Sequence, residues 1–148
     1  MTPKLELLTY DLIARILDTS VAVSWYLPES FSQKAREWRE RMLKGKARLL
    51  IPALHFVEFA NVIRTYVRRG ELERDLAEEI YGLHLEAPLE LAEAPLEGLL
   101  ETALEFQATA YDSVFIRMAL NQRVPLLTGE RTTTPWVIKL GELAEVVR

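Results

Sequence analysis

The sequence predicts an α/β fold in which helices cover both faces of a mainly parallel, five-stranded sheet, giving three layers. Short apolar runs alternate along the chain with longer segments whose apolar residues recur at helical spacing. The chain has 148 residues and shows no internal repeat and no linker rich in glycine, proline or serine. A single domain spanning residues 1–148 is therefore expected.

Five short apolar runs are the predicted strands, because strands buried in a parallel sheet are apolar along most of their length. They are residues 15–17, 48–51, 89–92, 124–128 and 137–140. Predicted helices lie between them, at residues 30–43, 54–69, 72–84, 96–106 and 112–121. Residues 1–13 are only weakly periodic, and we expect a lead-in that is either an extra N-terminal element or the result of a misplaced start codon.

Composition excludes several classes of protein. The chain contains no cysteine, which rules out a disulfide framework, a thiol nucleophile and a zinc site with sulfur ligands. No apolar stretch approaches the roughly 20 residues that span a bilayer, and the N-terminus lacks a signal-peptide pattern. We expect a soluble cytoplasmic protein with no membrane partner.

Charge is distributed unevenly around a net value of −4. Residues 71–105 contain eleven acidic side chains and one basic side chain, whereas residues 34–48 contain seven basic and two acidic ones. This separation permits a polyanion to bind on one side of the molecule, but it is equally typical of solvated helix faces of opposite sign.

Four acids are candidate catalytic residues: Asp18, Glu58, Asp112 and Glu130. Asp18 and Glu130 follow predicted strands, where open α/β sheets place their chemistry. Glu58 and Asp112 lie among apolar residues in predicted helices, where a carboxylate is costly unless it is paired or bound to a metal ion. Simpler explanations exist for three of them: a turn for Asp18, a helix cap for Asp112 and a solvated loop for Glu130.

Taken together, the four acids predict a site for a hard cation. Carboxylate oxygens without sulfur ligands or an imidazole cluster suit Mg²⁺ or Mn²⁺. Such an ion can activate water and hold a phosphate during an in-line displacement.

The residues around these acids form four motifs in a fixed order. They are LDTSV at residues 17–21, Pro52 with EFANV at residues 58–62, TAYDS at residues 109–113 and PLLTGE at residues 125–130. This succession, over residues 16–146, resembles the PIN-domain ribonucleases and most closely the VapC-type toxins of prokaryotic toxin–antitoxin pairs. Each motif alone is weak, but four in order are specific.

The resemblance implies a metal-dependent endonuclease that cleaves RNA, with Mg²⁺ or Mn²⁺ as cofactor and an antitoxin as protein partner. Asp18, Asp112 and Glu130 would hold the ion, and Glu58 would complete its shell or orient the attacking water. Three further matched positions are polar and would support the acids: Ser20, Asn61 and Thr128. Glu130 stands where the family usually has Asp, so we expect looser or water-mediated coordination there.

Further expectations concern binding and assembly. The basic side chains of residues 34–48 and 64–69 would track the RNA backbone. The predicted helices at residues 30–43 and 54–69 carry more large apolar side chains than one face of a small sheet needs. Together with the resemblance to PIN-type toxins, which usually dimerise, this implies a C2 homodimer. His55 and His84 are isolated in the sequence and are expected to have structural roles. Four aromatic side chains could stack on bases, but roles in the core or in helix packing are expected for them: Trp25, Tyr26, Trp38 and Trp136.

Two other classes of function stay open. A catalytically weak PIN-like RNA-binding module is favoured by the glutamate at position 130. A phosphoaspartyl receiver-like signalling domain is also α/β with acids at strand ends. It would require a lysine after its late strand, and the sequence there reads Gly129-Glu130-Arg131.

Overall fold

Five parallel strands form one sheet in the computed structural model, which describes residues 13–148. The strands are β1 (Ile13–Leu17), β2 (Ala47–Ile51), β3 (Glu90–Leu91), β4 (Leu126–Thr128) and β5 (Ala144–Val146), in the spatial order β3-β2-β1-β4-β5. The described residues contain seven α-helices: α1 (Thr19–Tyr26), α2 (Ser32–Leu43), α3 (Leu54–Arg68), α4 (Arg74–Glu86), α5 (Leu99–Phe106), α6 (Ala110–Gln122) and α7 (Pro135–Leu140). The predicted α/β class with a five-stranded parallel sheet is confirmed.

The sheet separates two hydrophobic cores, because successive side chains of a strand point to opposite faces. Leu17 and Leu127 pack on one face with residues of α1, α2, α3 and α4. Their neighbours Ile16 and Leu126 pack on the other face with residues of α5, α6 and α7. The sheet and the helices packed on each of its faces are the three predicted layers.

The order in which strands are added to the sheet reverses at the boundary between β1 and β4. From β1 it adds β2 and then β3 on one side, whereas β4 and β5 lie on the other side. Leu17 pairs with Leu127 across this boundary. Ligands of open α/β sheets bind at the carboxyl ends of the strands at such a switch point, and residue 18 and residues 128–130 lie there.

The predicted fifth strand at residues 137–140 is wrong. These residues belong to α7, and the fifth strand is β5. Pro135 occupies the first turn of α7, where its missing N–H costs nothing. Trp136, Val137 and Leu140 are buried on one helical face while Ile138 is 65% exposed, and a four-residue apolar run is too short to distinguish the two periods.

Helix α1 has no counterpart among the predicted helices. Its residues from Val21 to Trp25 are all buried, so the segment lacks the polar face that makes a helix recognisable in a sequence. Helix α2 begins at Ser32, two residues later than predicted. Within the described part of the chain, no helix is long and apolar enough to cross a membrane. The predicted lead-in lies outside the described residues apart from Ile13, which begins β1.

The expected structural roles of the histidines and tryptophans agree with their burial. Three tryptophans are core residues: Trp25, Trp38 and Trp136. His55 and His84 are also fully buried, but they are not isolated, since their Nε2 atoms lie 2.7 Å apart.

Candidate active site

Asp18 lies directly after β1 and is held by the neighbouring strand. Its backbone N–H donates to the Leu127 carbonyl at 3.0 Å. Its Oδ2 accepts hydrogen bonds from Thr128 Oγ1 at 2.8 Å and from Ser20 Oγ at 3.0 Å. Asp18 as a whole is 8% exposed, so two hydroxyls fix a nearly buried carboxylate at the switch point.

Gly129 lies close to the chain segment that follows β1. Its N–H donates to Ser20 Oγ at 3.0 Å. A Cβ atom at this position would lie 2.6 Å from Phe31 Cζ and 3.2 Å from Ser20 Oγ, and the aromatic ring has little freedom to move in a packed interior. Any residue other than glycine at this position would therefore have to displace Phe31 or Ser20.

Glu58 and Asp112 enter the site from two helices. Glu58 is half-buried in the second turn of α3, and its Oε1 accepts a hydrogen bond from Thr19 Oγ1 at 2.9 Å. Asp112 lies in the first turn of α6, where Thr109 Oγ1 accepts the hydrogen bond from the Asp112 N–H at 3.0 Å. Thr109 is thus the N-cap residue, and the helix-cap explanation of Asp112 is wrong.

Glu130 is half-buried beside the start of α7. Its Oε2 accepts a hydrogen bond from Thr134 Oγ1 at 3.1 Å, and its N–H donates to Thr128 Oγ1 at 3.1 Å. Sequence reasoning missed both Thr19 and Thr134. The signal for Thr19 was its position directly after Asp18, whereas Thr134 is one of three consecutive threonines with nothing to mark it.

Burial and the charges of neighbouring carboxylates raise the pKa values of Asp18, Glu58 and Asp112. Burial raises the pKa of Asp18 from 3.8 to about 7; the charges of Asp112 and Glu58 add to this, and the bonds from Thr128 and Ser20 oppose it. Burial also raises the pKa of Glu58, as does the charge of Asp112, while the bond from Thr19 lowers it. Burial and the charge of Glu130 raise the pKa of Asp112. The four predicted acids therefore share one region of negative potential.

No cation within residues 13–148 neutralises this region. None of the ion pairs formed by the described residues includes any of the four acids. Uncompensated carboxylate oxygens are the donors that Mg²⁺ and Mn²⁺ prefer, so the residue types fit such an ion. As the side chains stand, no three His, Cys, Asp or Glu residues in this part of the chain form a ready-made metal site.

Asn61 is not brought into contact with the acids. It lies one turn beyond Glu58 in α3 and is exposed, and its backbone carbonyl accepts a hydrogen bond from Thr65. The structure thus brings Ser20 and Thr128 to Asp18 but leaves Asn61 as a prediction.

Comparison with known proteins agrees with this geometry. A model of the PIN domain matches residues 15–132, which is most of the chain. The chain belongs to the PIN domain family. PIN domains are usually nucleases and typically use divalent metal ions, so membership supports a hydrolase that acts on nucleic acid. It also favours this class over the receiver-like alternative.

A solved structure shows the same fold. The crystal structure of PAE2754 from Pyrobaculum aerophilum superposes with a TM-score of 0.70, covers 92% of both chains and is 20% identical in sequence. The superposition shows that the two chains share a fold, and at 20% identity it shows no more than the fold. The curated proteins include no match to this chain.

Substitution of Asp18 by Asn should stabilise the metal-free protein in a pH-dependent manner. The pKa of Asp18 is raised to about 7 from 3.8, so ionisation destabilises the folded state progressively as pH rises from about 4 to 7 and fully above 7. The amide that replaces the carboxylate retains an oxygen that can accept from Ser20 and Thr128. In EDTA at pH 8, Tm should rise by roughly 5 °C or more, and the gain should shrink towards pH 4. A gain that is independent of pH would contradict this explanation.

Substitution of Gly129 by Ala should distort the site, because the new Cβ would overlap Phe31. We expect a loss of roughly 1–3 kcal/mol in the free energy of unfolding, measured by chemical denaturation. Gly82→Ala is the matched control, since a Cβ there meets nothing within 4 Å in the middle of α4. The control should gain about 0.5–1 kcal/mol. Equal stabilities of the two variants would show that Gly129 is not confined.

Proposed function

We propose that this protein is a divalent-metal-dependent endoribonuclease and the toxin of a type II toxin–antitoxin pair, acting in the cytoplasm. The observation that carries the nuclease activity is the group of four mutually repelling carboxylates, without a neutralising cation among the described residues, at the switch point of a PIN-domain sheet. The toxin role is supported by the order of the four sequence motifs.

The residues divide into ion ligands and a water-orienting group. Asp18, Asp112 and Glu130 would hold Mg²⁺ or Mn²⁺, which when bound would stabilise negative charge on the phosphate and acidify a water molecule. Glu58 is oriented by Thr19 and would align the attacking water and accept its proton. Its pKa is raised by burial, which brings a carboxylate closer to the range where it works as a base near neutral pH. Attack by water breaks the P–O bond to the leaving ribose oxygen.

Contacts to the RNA backbone are best supplied near the carboxyl edge of the sheet. Lys34 Nζ donates to the Arg148 carbonyl at 3.2 Å, and Arg148 Nε donates to the Gly129 carbonyl at 2.7 Å. Arg148 therefore lies next to the loop that carries Glu130, and Lys34 lies next to Arg148. Arg48, at the opposite end of the basic segment, pairs with Glu90 near the start of β2, so the segment as a whole does not border the site.

Partner binding is supported by a groove of about 520 Å³ between α3 and α4. Its apolar lining includes Ala60, Ile63 and Tyr81, and Arg64 and Arg68 lie at its border. Such a groove suits an apolar antitoxin segment that carries acidic residues. The homodimer also stays a prediction, to be tested by sedimentation. The apolar side chains of α2 support it less than expected, because Ala35, Trp38 and Met42 are buried in the core of the same chain.

A catalytically weak RNA-binding module is the second candidate. It is favoured by Glu130, whose Oε2 already accepts a hydrogen bond from Thr134. A longer acid occupied in this way has less freedom to meet the strict ligand geometry of Mg²⁺.

The nuclease proposal predicts cleavage of a labelled structured RNA in Mg²⁺ or Mn²⁺ and none in EDTA. Asp18→Asn and Asp112→Asn should each lower the initial rate by roughly 100-fold or more, because each removes a charged ligand. Asp75→Asn removes an exposed acid from α4 and serves as the control for net charge. A matched DNA substrate tests the preference for RNA.

Two results would contradict the proposal. Full activity of Asp112→Asn would show that the Asp112 carboxylate does not belong to the active site. RNA binding without any metal-stimulated cleavage by the parent protein would favour the weak binding module instead.

Variants of Glu130 test whether its carboxylate belongs to the metal site. If its carboxylate holds the ion, Glu130→Asp should change the rate modestly and Glu130→Gln should lower it much more, because only the amide removes the charge. The measurement is the initial rate across a titration of Mg²⁺. Equal rates for Glu130→Gln and the parent protein at limiting Mg²⁺ would show that the ion is held without Glu130.

A further inference from the structure

Two histidines touch each other in the core behind Glu58. His55 lies in the first turn of α3 and His84 in the last turn of α4, and both are fully buried. Their Nε2 atoms are 2.7 Å apart. A separation this short requires one nitrogen to donate a proton and the other to accept it.

Both rings are neutral near pH 7. Burial, together with the neighbouring His84, lowers the pKa of His55 to about 3. Burial, together with the charge of Arg39, lowers the pKa of His84 to about 4. Phe59 stacks on the His84 ring with centroids 4.1 Å apart. A neutral ring carries one N–H, so the two histidines must adopt opposite tautomers.

The pair continues at both ends into a chain of hydrogen bonds. On one side the Tyr26 hydroxyl lies 3.0 Å from His84 Nδ1. On the other side Thr19 Oγ1 lies 3.3 Å from His55 Nδ1 and donates to Glu58 Oε1 at 2.9 Å. Side chains from α1, α3 and α4 thus connect the interior with the acids at the edge of the sheet.

The Glu58 carboxylate, at one end, sets the donor-to-acceptor direction of every hydrogen bond in this series. An ionised Glu58 can only accept, so the single proton of the Thr19 hydroxyl is directed to it. Thr19 must then accept from His55 Nδ1–H, which leaves His55 Nε2 as an acceptor. His84 therefore donates through Nε2 and accepts from the Tyr26 hydroxyl at Nδ1. Every donor in the chain is oriented towards Glu58.

We propose that the His55–His84 pair is a positioning element for Glu58 and acts through Thr19. With the His55 N–H on its oxygen, the Thr19 hydroxyl is held as a donor to Oε1, and the second carboxylate oxygen is left for the attacking water. The role in the reaction rests on the proposed function, since Glu58 orients the water there. His55 and His84 never touch substrate, so they are positioning residues.

A purely structural role would satisfy the same buried nitrogens without depending on Glu58. The two roles differ in whether the histidine tautomers depend on Glu58, at the far end of the hydrogen-bond chain. If the pair positions Glu58, removal of that carboxylate must change the tautomers of rings that it does not touch. If the pair only fills the core, the tautomers must stay as they are.

Long-range ¹H–¹⁵N NMR of the histidine rings in the full chain tests the direction of the bonds. At neutral pH we expect His55 protonated at Nδ1 and His84 at Nε2. Glu58→Ala should shift the ¹⁵N signals of His84 towards mixed tautomers, whereas the surface control Asp75→Asn should not. The reverse tautomers in the parent, or unchanged His84 signals in Glu58→Ala, would overturn the proposal. This measurement needs no RNA cleavage.

Kinetics of three threonine variants test the effect on the reaction. Thr19→Val should lower kcat by roughly 10- to 100-fold with KM for RNA little changed, and Thr19→Ser should recover the rate because it restores the hydroxyl. Thr102→Val removes the hydroxyl of another buried threonine, which lies in α5 and donates to the carbonyl of Gly98 just before that helix; it controls for lost stability. Equal kcat for Thr19→Val and Thr19→Ser would overturn the proposal. If the parent protein cleaves no RNA, the proposed function fails and the tautomers alone decide.

Discussion

The constraint that governs the candidate site is that several carboxylates are fixed at one edge of a sheet while their negative charge is not neutralised. Three of the four acids accept hydrogen bonds from hydroxyls rather than from basic side chains: Thr128 and Ser20 donate to Asp18, Thr19 to Glu58 and Thr134 to Glu130. A neutral donor fixes the orientation of a carboxylate but leaves its net charge in place. A lysine or arginine would stabilise the fold more and would remove the potential that attracts a cation.

Backbone geometry makes this arrangement possible. The parallel pairing of β1 with β4 brings Leu17 level with Leu127, so the residues that follow each strand meet at the same edge. Gly129 then allows the loop after β4 to approach Ser20, whose hydroxyl accepts from the Gly129 N–H and donates to Asp18. The strand register, Gly129 and the Ser20 hydroxyl act together, which explains how Asp18 and Glu130 meet at one edge although they lie more than 100 residues apart in the chain.

The parts of the fold that the sequence predicts are those marked by local patterns. β1 and β2 were recognisable as apolar runs, and Asp18 and Glu130 as acids placed after strands. Helix α1 was missed because burial on all sides removes the periodicity. Residues 137–140 were misassigned because four apolar residues fit either period. The contact between His55 and His84 depends on the packing of α3 against α4, and a lone histidine in a helix gives no sign of its partner.

The buried histidines follow the same physical rule as the hydroxyls. A protonated His55 beside Thr19 would place a positive charge next to the acids and weaken their hold on a cation, but burial lowers the pKa of His55 to about 3. The neutral ring can still donate one hydrogen bond in a defined direction, and low polarity around it strengthens that bond. The core therefore transmits orientation to Glu58 without transmitting charge. Because the hydrogen bonds fix the orientation of the acids without adding positive charge, the acids can be held rigidly and still be available to a metal ion.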